Sequence, residues 1–176
     1  MTFLAPDFET TGLDCRIGRV VEIGAIRFSL DSEGLGLEGL REEACLACLV
    51  DPGMPIPRQS SAIHGISNED VAGSPRFADV APALLALAQG AVIVAHNVRF
   101  DLSFLDAELA RLGLRRPDAG TQDTVQLSKR AFPGRGSYRL GAIALALGID
   151  CGYAHRALDD ARTCMLLYRA CAMQLA

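Results

Sequence analysis

The sequence predicts an α/β domain built on one mixed five-stranded sheet, three antiparallel strands followed by an α-β-α-β alternation, with helices on both faces. Three observations lead there. Arg19 to Ser29 alternates with period two, the mark of a half-buried strand. Ala91 to Ala95 is a continuous apolar run, as expected of a strand buried on both faces. Phe77, Val80, Leu84, Leu87 and Ala88 recur at helical spacing between those two stretches.

Taken in order, Thr2 to Phe8 reads as strand one and Arg19 to Ser29 as strand two. The acidic, Gly-rich stretch Asp31 to Gly39 forms a hairpin loop, and Glu43 to Val50 returns as strand three. Asp51 to Pro57 leaves the sheet, because prolines this dense cannot join a ladder. Ser67 to Asp70 caps a short helix, and Pro75 begins the longer one that carries Phe77. After the buried strand come a helix over Phe100 to Leu112 and a strand or turn over Ala119 to Asp123. Helices over Val125 to Ala131, Tyr138 to Leu147 and Ala157 to Met173 complete the chain. With no internal repeat and no linker, residues 1–176 are expected to form a single domain, of a length that supports a sizeable core.

Half of the residues are hydrophobic, which excludes a largely disordered chain. Asp7 and Glu9 already stand within the first ten residues, so no ordinary signal peptide is expected. The greasiest run, Val80 to Ala95, is broken by Pro82, Gln89 and Gly90 and falls short of the roughly 18 apolar residues of a membrane span. A cytoplasmic protein without a membrane partner is expected. The six cysteines are then expected to be reduced and buried. Cys45 and Cys48 could form half of a zinc site with Cys151 and His155, but on a strand i and i+3 point to opposite faces. The net charge of −4, from 17 basic and 21 acidic residues, lacks the strongly basic footprint of a protein that grips nucleic acid unaided. Four carboxylates gathered around two divalent cations would offset most of that deficit.

The chemistry starts at Asp7-Phe8-Glu9-Thr10-Thr11-Gly12-Leu13. Two acids at i and i+2 share one face of a strand, where like charges raise each other's pKa or demand a cation between them. Asp7 and Glu9 therefore read as ligands for a hard divalent ion, or else as a charged strand end running into a turn. Asp101 lies where the buried strand passes into the next helix, at the sheet edge where open α/β sheets bind ligands. Alone, it could simply favour the helix N-terminal dipole. His155 precedes the last helix and Asp160 lies in its first turn or so. That division suits a fixed metal ligand beside a more mobile general base, since an imidazole titrates near pH 6.5 and can take a proton from water.

Asp7, Glu9, Asp101, His155 and Asp160, in this order, resemble the DEDD exonuclease superfamily in its histidine subgroup, and within it the proofreading epsilon subunits of bacterial DNA polymerase III and their stand-alone relatives. The likeness extends over Ile63-His64-Gly65-Ile66-Ser67, Ala95-His96-Asn97, Gln122-Asp123-Thr124 and Phe132-Pro133-Gly134. The sister subgroup carries a tyrosine four residues before the last acid, where this chain has Arg156. The resemblance implies a ribonuclease H-like fold and 3′→5′ release of nucleoside monophosphates by two Mg²⁺ or Mn²⁺ ions, one activating the attacking water and the other stabilising the leaving oxygen. It also implies that Asp7 bridges both ions, that Glu9, Asp101 and Asp160 complete the coordination, and that His155 is the base.

Thr10 and Leu13 match positions that meet the terminal nucleotide in relatives, Leu13 as a wedge against the last base. Gln59, His64, Asn97 and Phe100 match further substrate-side positions. The residues alone leave other uses open: Leu13 and Phe100 in the core, Asn97 in a turn, His64 as a capped loop histidine. Lys129, Arg130, Arg135 and Arg139 around a Pro-Gly loop form the best local cluster for a phosphate backbone, or an ordinary solvated loop. Expected partners are single-stranded or frayed nucleic-acid 3′ ends, with a DNA polymerase subunit added if the chain proofreads. With the chain ending at Ala176, it is expected to act alone, to dock through its own surface, or to be the catalytic part of something longer. An RNA-trimming exoribonuclease and a non-catalytic binding module are the alternatives. One departure stands out: Pro6 directly precedes the first acid, where relatives carry a large apolar residue, and it would remove a donor from a central strand.

Overall fold

The computed structural model describes residues 1–31, 39–153 and 155–176. Five strands, β1 (Thr2–Thr10), β2 (Val20–Leu30), β3 (Leu40–Leu49), β4 (Val92–Ala95) and β5 (Thr121–Asp123), form one sheet in the order β3-β2-β1-β4-β5. β2 runs antiparallel to both β1 and β3, whereas β4 is parallel to β1 and to β5. The mixed α/β sheet expected from the sequence is present.

Strand alternation sorts the core into two layers. Leu4 and Phe8 of β1 pack with α2 (Phe77–Ala88) and α3 (Val98–Arg111) through Leu84, Phe104, Leu105 and Leu109. Phe3 and Ala5 face the opposite way, onto α6 (Ala157–Leu175), where Ala161, Cys164 and Met165 meet Ile26, Phe28 and Val94. Phe3 stacks on Phe28 at 5.2 Å between ring centroids, and Tyr168 closes the group. The same parity carries Asp7 and Glu9 to the α6 side. α4 (Thr124–Ala131) and α5 (Leu140–Ala146) extend that layer through Ala131, Ile143, Leu167 and Cys171.

Several expectations are corrected. The short helix expected at Ser67 to Asp70 is a turn, held by Ser67 N–H donating to Asp70 Oδ2 at 2.7 Å and ended by Gly73 at φ 81°. The helix lies one segment earlier, as α1 (Arg58–His64), starting after Pro57 and stopped by Gly65 at φ 75°. The next helix begins at Phe77, because the Asp79 carboxylate accepts from the N–H of Arg76 and fixes that residue as the cap. The hairpin loop falls on residues 32–38, outside the described residues; its ends meet through Asp31 N–H donating to the Gly39 carbonyl at 3.0 Å. Cys164 and Cys171 are buried as expected, but Cys45 is exposed, because β3 is an edge strand that no helix fully covers.

Pro6 pairs with Ala25 of β2 without a register shift. β1 is paired to β4 only at Phe3 and Leu4, so Pro6 lies past the point where these two strands part. A missing donor is tolerated there, and the same parting opens the sheet edge at which Asp7 and Glu9 emerge. A bulge between Glu9 and Thr10 then turns the chain out of the sheet. Among the described residues, no helix is long and apolar enough to cross a membrane.

Candidate active site at the ends of β1 and β4

Four elements deliver the expected acids and histidine to one cleft. Asp7 and Glu9 come from β1, Asp101 from the first turn of α3, Asp160 from the first turn of α6, and His155 from the segment before it. All five line a cavity of about 220 Å³ together with His96, Asn97, Phe100 and Leu140. One ligand atom each of Glu9, His155 and Asp160 lies within 4.8 Å of the others. Asp101 is 4% exposed, Asp7, Glu9 and Asp160 are half-buried, and His155 is exposed. Two unusual backbone conformations frame the cleft, Asn97 at φ 73° and His155 at φ 62°, both in the left-handed region that costs a non-glycine residue energy.

The electrostatics call for a cation. Among the described residues, no Lys or Arg forms an ion pair with Asp7, Glu9, Asp101 or Asp160. Burial, then Asp101, Asp160 and Glu9 as like charges, push Asp7 well above the usual carboxylate range. Burial and then Asp160 and Glu22 raise Glu9 to about 7. Burial raises Asp101 to about 8, against hydrogen bonds from its own N–H and that of Phe8. Burial also raises Asp160, opposed by the N–H of His155, which donates to Asp160 Oδ2 at 3.1 Å. Hard oxygen donors crowded together, with no ion pair among the described residues and only the Arg156 charge opposing at Glu9, fit divalent ions such as Mg²⁺ or Mn²⁺. The conceivable zinc set has no counterpart: Cys45, Cys48 and Cys151 belong to no metal-type cluster found among the described residues.

A second, more apolar groove of about 630 Å³ adjoins the cleft through Glu9 and Phe100. Thr10, Leu13, Gln59, His64 and Phe100 line it, whereas Asn97 lines the acidic cleft instead. Leu13 is 87% exposed, so it is not a core residue. Ile17 and Ile63 add further exposed apolar surface at the rim. Thr10 donates its hydroxyl to the Gly12 carbonyl at 2.7 Å, shaping the turn. His64 is 6% exposed, and Ile66 N–H donates to its Nδ1 at 3.0 Å. The ring proton therefore sits on Nε2, which has no partner among the described residues. Burial lowers the His64 pKa, opposed by the Thr10 backbone and the Glu22 charge.

His96, quoted only as part of a motif in the sequence, has a structural task. Its Nε2 donates to the Tyr138 carbonyl at 2.8 Å, and its Nδ1 faces the Thr124 hydroxyl at 2.9 Å. It thereby ties the loop before α5 to the cleft, where Leu140 forms a wall. Lys129, Arg130, Arg135 and Arg139 are all exposed around that loop, and none forms an ion pair among the described residues. The signal in the sequence was one histidine between a buried strand and a helix, which does not reveal a contact 42 residues away.

Fold and site together define an α/β domain with an acidic cleft whose donors suit divalent ions. The exonuclease family model, of the ribonuclease T type, matches residues 4–168, and the chain belongs to that family. Enzymes of this family use divalent metal ions, and the activity is that of a 3′→5′ exonuclease, as the sequence resemblance implied. The chain is 37% identical over 170 residues to the DNA polymerase III epsilon subunit of Treponema pallidum, covering 96% of this chain and 75% of that protein. It is 32% identical to the 3′-5′ exonuclease DinG of Bacillus subtilis, of which it spans 17%, covering 94% of this chain. Among solved structures it is similar to E. coli exonuclease I bound to an oligonucleotide (TM-score 0.78, 22% identity, 96% of this chain and 40% of that one). It is also similar to exonuclease X in complex with 5′ overhanging duplex DNA (TM-score 0.70, 26% identity, 95% of this chain and 90% of that one).

Proposed function

We propose that residues 1–176 form a single exonuclease domain that removes nucleoside monophosphates stepwise from single-stranded or frayed DNA 3′ ends, in proofreading beside a polymerase or in repair. The observation that carries the reading is the convergence of four unpaired carboxylates and an exposed imidazole on one cleft. Asp7, Glu9, Asp101 and Asp160 would hold two Mg²⁺ or Mn²⁺ ions. When bound, such ions neutralise the carboxylates and polarise the reacting phosphate. The likeness to an epsilon subunit, and to structures that hold DNA, supports DNA as the substrate and a polymerase as the partner.

The chain's own residues then do the rest. His155, exposed and hinged just ahead of α6, takes the proton of the attacking water. The water oxygen bonds to the terminal phosphorus, and the bond from that phosphorus to the 3′ oxygen of the preceding nucleotide breaks. The apolar groove takes the terminal nucleoside: Leu13 and Phe100 contact the base, Thr10 and Gln59 border the sugar, and His64 lies at the groove wall beside them. Asn97 faces the scissile phosphate. Lys129, Arg130, Arg135 and Arg139 track the upstream backbone.

Matched 5′-labelled DNA and RNA oligonucleotides, with and without a mismatched 3′ terminus, test this in Mg²⁺ and in EDTA. A ladder of DNA shortened from the 3′ end, abolished by EDTA, is expected. Faster shortening of RNA would replace the substrate class, and hydrolysis of neither would overturn the function.

A further inference from the structure

We propose that Glu22 is a positioning residue for this reaction, resting on the functional reading above: from β2 it fixes the start of α6 and so places Asp160 and His155. Glu22 lies opposite Glu9 in the β1–β2 register, close enough for its charge to raise Glu9, and its side chain, only 8% exposed, is engaged by the start of α6. Its Oε1 accepts from Arg156 Nη2 at 2.8 Å and Nε at 3.1 Å. Its Oε2 accepts from the backbone N–H of Ala157 at 3.0 Å. Ala157 opens α6, and Arg156, the N-cap residue, makes no side-chain cap of its own. A carboxylate from a neighbouring strand therefore satisfies one of the donors that a helix start leaves unpaired, and its charge suits that end of the dipole.

The contacts continue into the site. Asp160 N–H donates to the Arg156 carbonyl at 3.0 Å, and His155 N–H donates to Asp160 Oδ2 at 3.1 Å. His155 is exposed and at positive φ, and its N–H contact to Asp160 ties it to the first turn of α6. Gly24, two residues along β2, completes the seat: a Cβ there would collide with the Ala157 backbone, so the helix start lies directly on the strand. With both oxygens committed to three N–H donors, Glu22 acts on the reaction through α6 and not as a ligand.

The test measures kcat and KM for the full chain on 5′-labelled single-stranded DNA in Mg²⁺, alongside melting temperature and amide exchange. Glu22→Ala is expected to lower kcat about 100-fold with KM within about twofold, the scale of a misplaced catalytic group. Glu22→Gln, which keeps an acceptor for Ala157 N–H, is expected to recover about tenfold of that loss. Arg156→Ala is expected to lose about tenfold in kcat, and its combination with Glu22→Ala to be no worse than Glu22→Ala alone, because both act through one helix start. Amides 155–160 are expected to exchange faster in both alanine variants. A structural ion pair without a positioning role would lower the melting temperature and leave kcat at its parental value. If Glu22→Ala does not fold, Glu22→Gln and Arg156→Ala decide, and parental kcat in both overturns the proposal. An inactive parent counts against the functional reading alone, and unchanged exchange at 155–160 then overturns this one.

Discussion

Asp7 shows at the scale of one side chain why this cleft exists. A carboxylate facing Asp101, Asp160 and Glu9, with no ion pair among the described residues, is destabilised in its charged form by burial and by its neighbours, and either a proton or a bound cation offsets both. Asp7→Ala is therefore expected to abolish Mg²⁺-dependent hydrolysis, with a loss of at least 10³-fold measured by single-turnover shortening of labelled DNA, since residues that act as a unit fail together. His155→Ala is expected to lose about 10²–10⁴-fold in kcat, the range for a positioned base, with metal affinity less affected than in Asp7→Ala. These five residues stood out in the sequence because, taken together and in this order, they resemble one superfamily's set; each motif alone had an ordinary use, such as an acid at a helix start. Glu22 was not legible: as an acid inside an apolar strand it resembles any buried polar group until the Arg156 contact, 134 residues away, is seen. Leu13 could be read as core or as wedge, and only its 87% exposure excludes the core.

Among the elements, α6 and the end of β1 matter most. The bulge after Glu9 ends β1 and leads into the turn shaped by Thr10, while Arg19 N–H donates to the Thr11 hydroxyl at 2.9 Å across the loop. Buried Glu108 of α3 grips the far side of that loop through Arg19 Nε at 2.7 Å and Val20 N–H at 3.2 Å. The loop bearing Leu13 is thus anchored at its base and exposed at its tip. At the start of α6, Gly24→Ala is expected to cost about 1–3 kcal/mol in chemical denaturation, as overpacking does, because the added methyl meets backbone and not a flexible side chain. Long periodic helices and the alternating strand were readable from pattern alone. α1 was not, since seven residues with few apolar positions carry little periodicity, and Ser67 with Asp70 offered a better cap signal that closes only a turn. β5, three residues long, is fixed by pairing with β4 rather than by its own sequence.

For the molecule as a whole, the acidic cluster couples stability to pH and to metal. Glu9 near 7 and Asp101 near 8 in the metal-free chain bind protons more tightly when folded than when unfolded. Stability then falls as pH rises, from the ordinary carboxylate range near 4 up to about 8, because the folded state must release protons that the unfolded state has already lost. The melting temperature in EDTA is expected to be lower at pH 8 than at pH 5.5. Mg²⁺ is expected to raise it more at pH 8, where ligation needs less proton release than at pH 5.5; an ion at 100 times its Kd stabilises by about 2.7 kcal/mol. A melting temperature in EDTA that rises from pH 5.5 to pH 8 would contradict this charge balance. The net charge of −4 concealed this arrangement, because a sum over the chain does not show that four of its acids share one cleft.

Diffraction from crystals soaked in Mn²⁺, collected at the manganese absorption edge, tests most directly whether distant parts of the chain converge to hold catalytic ions. Two anomalous peaks are expected in the cleft bounded by Asp7, Glu9, Asp101 and Asp160, beside His155, and neither in Asp7→Ala crystals. Ions bound only outside that cleft, or a parental pattern that survives the loss of Asp7, would contradict it.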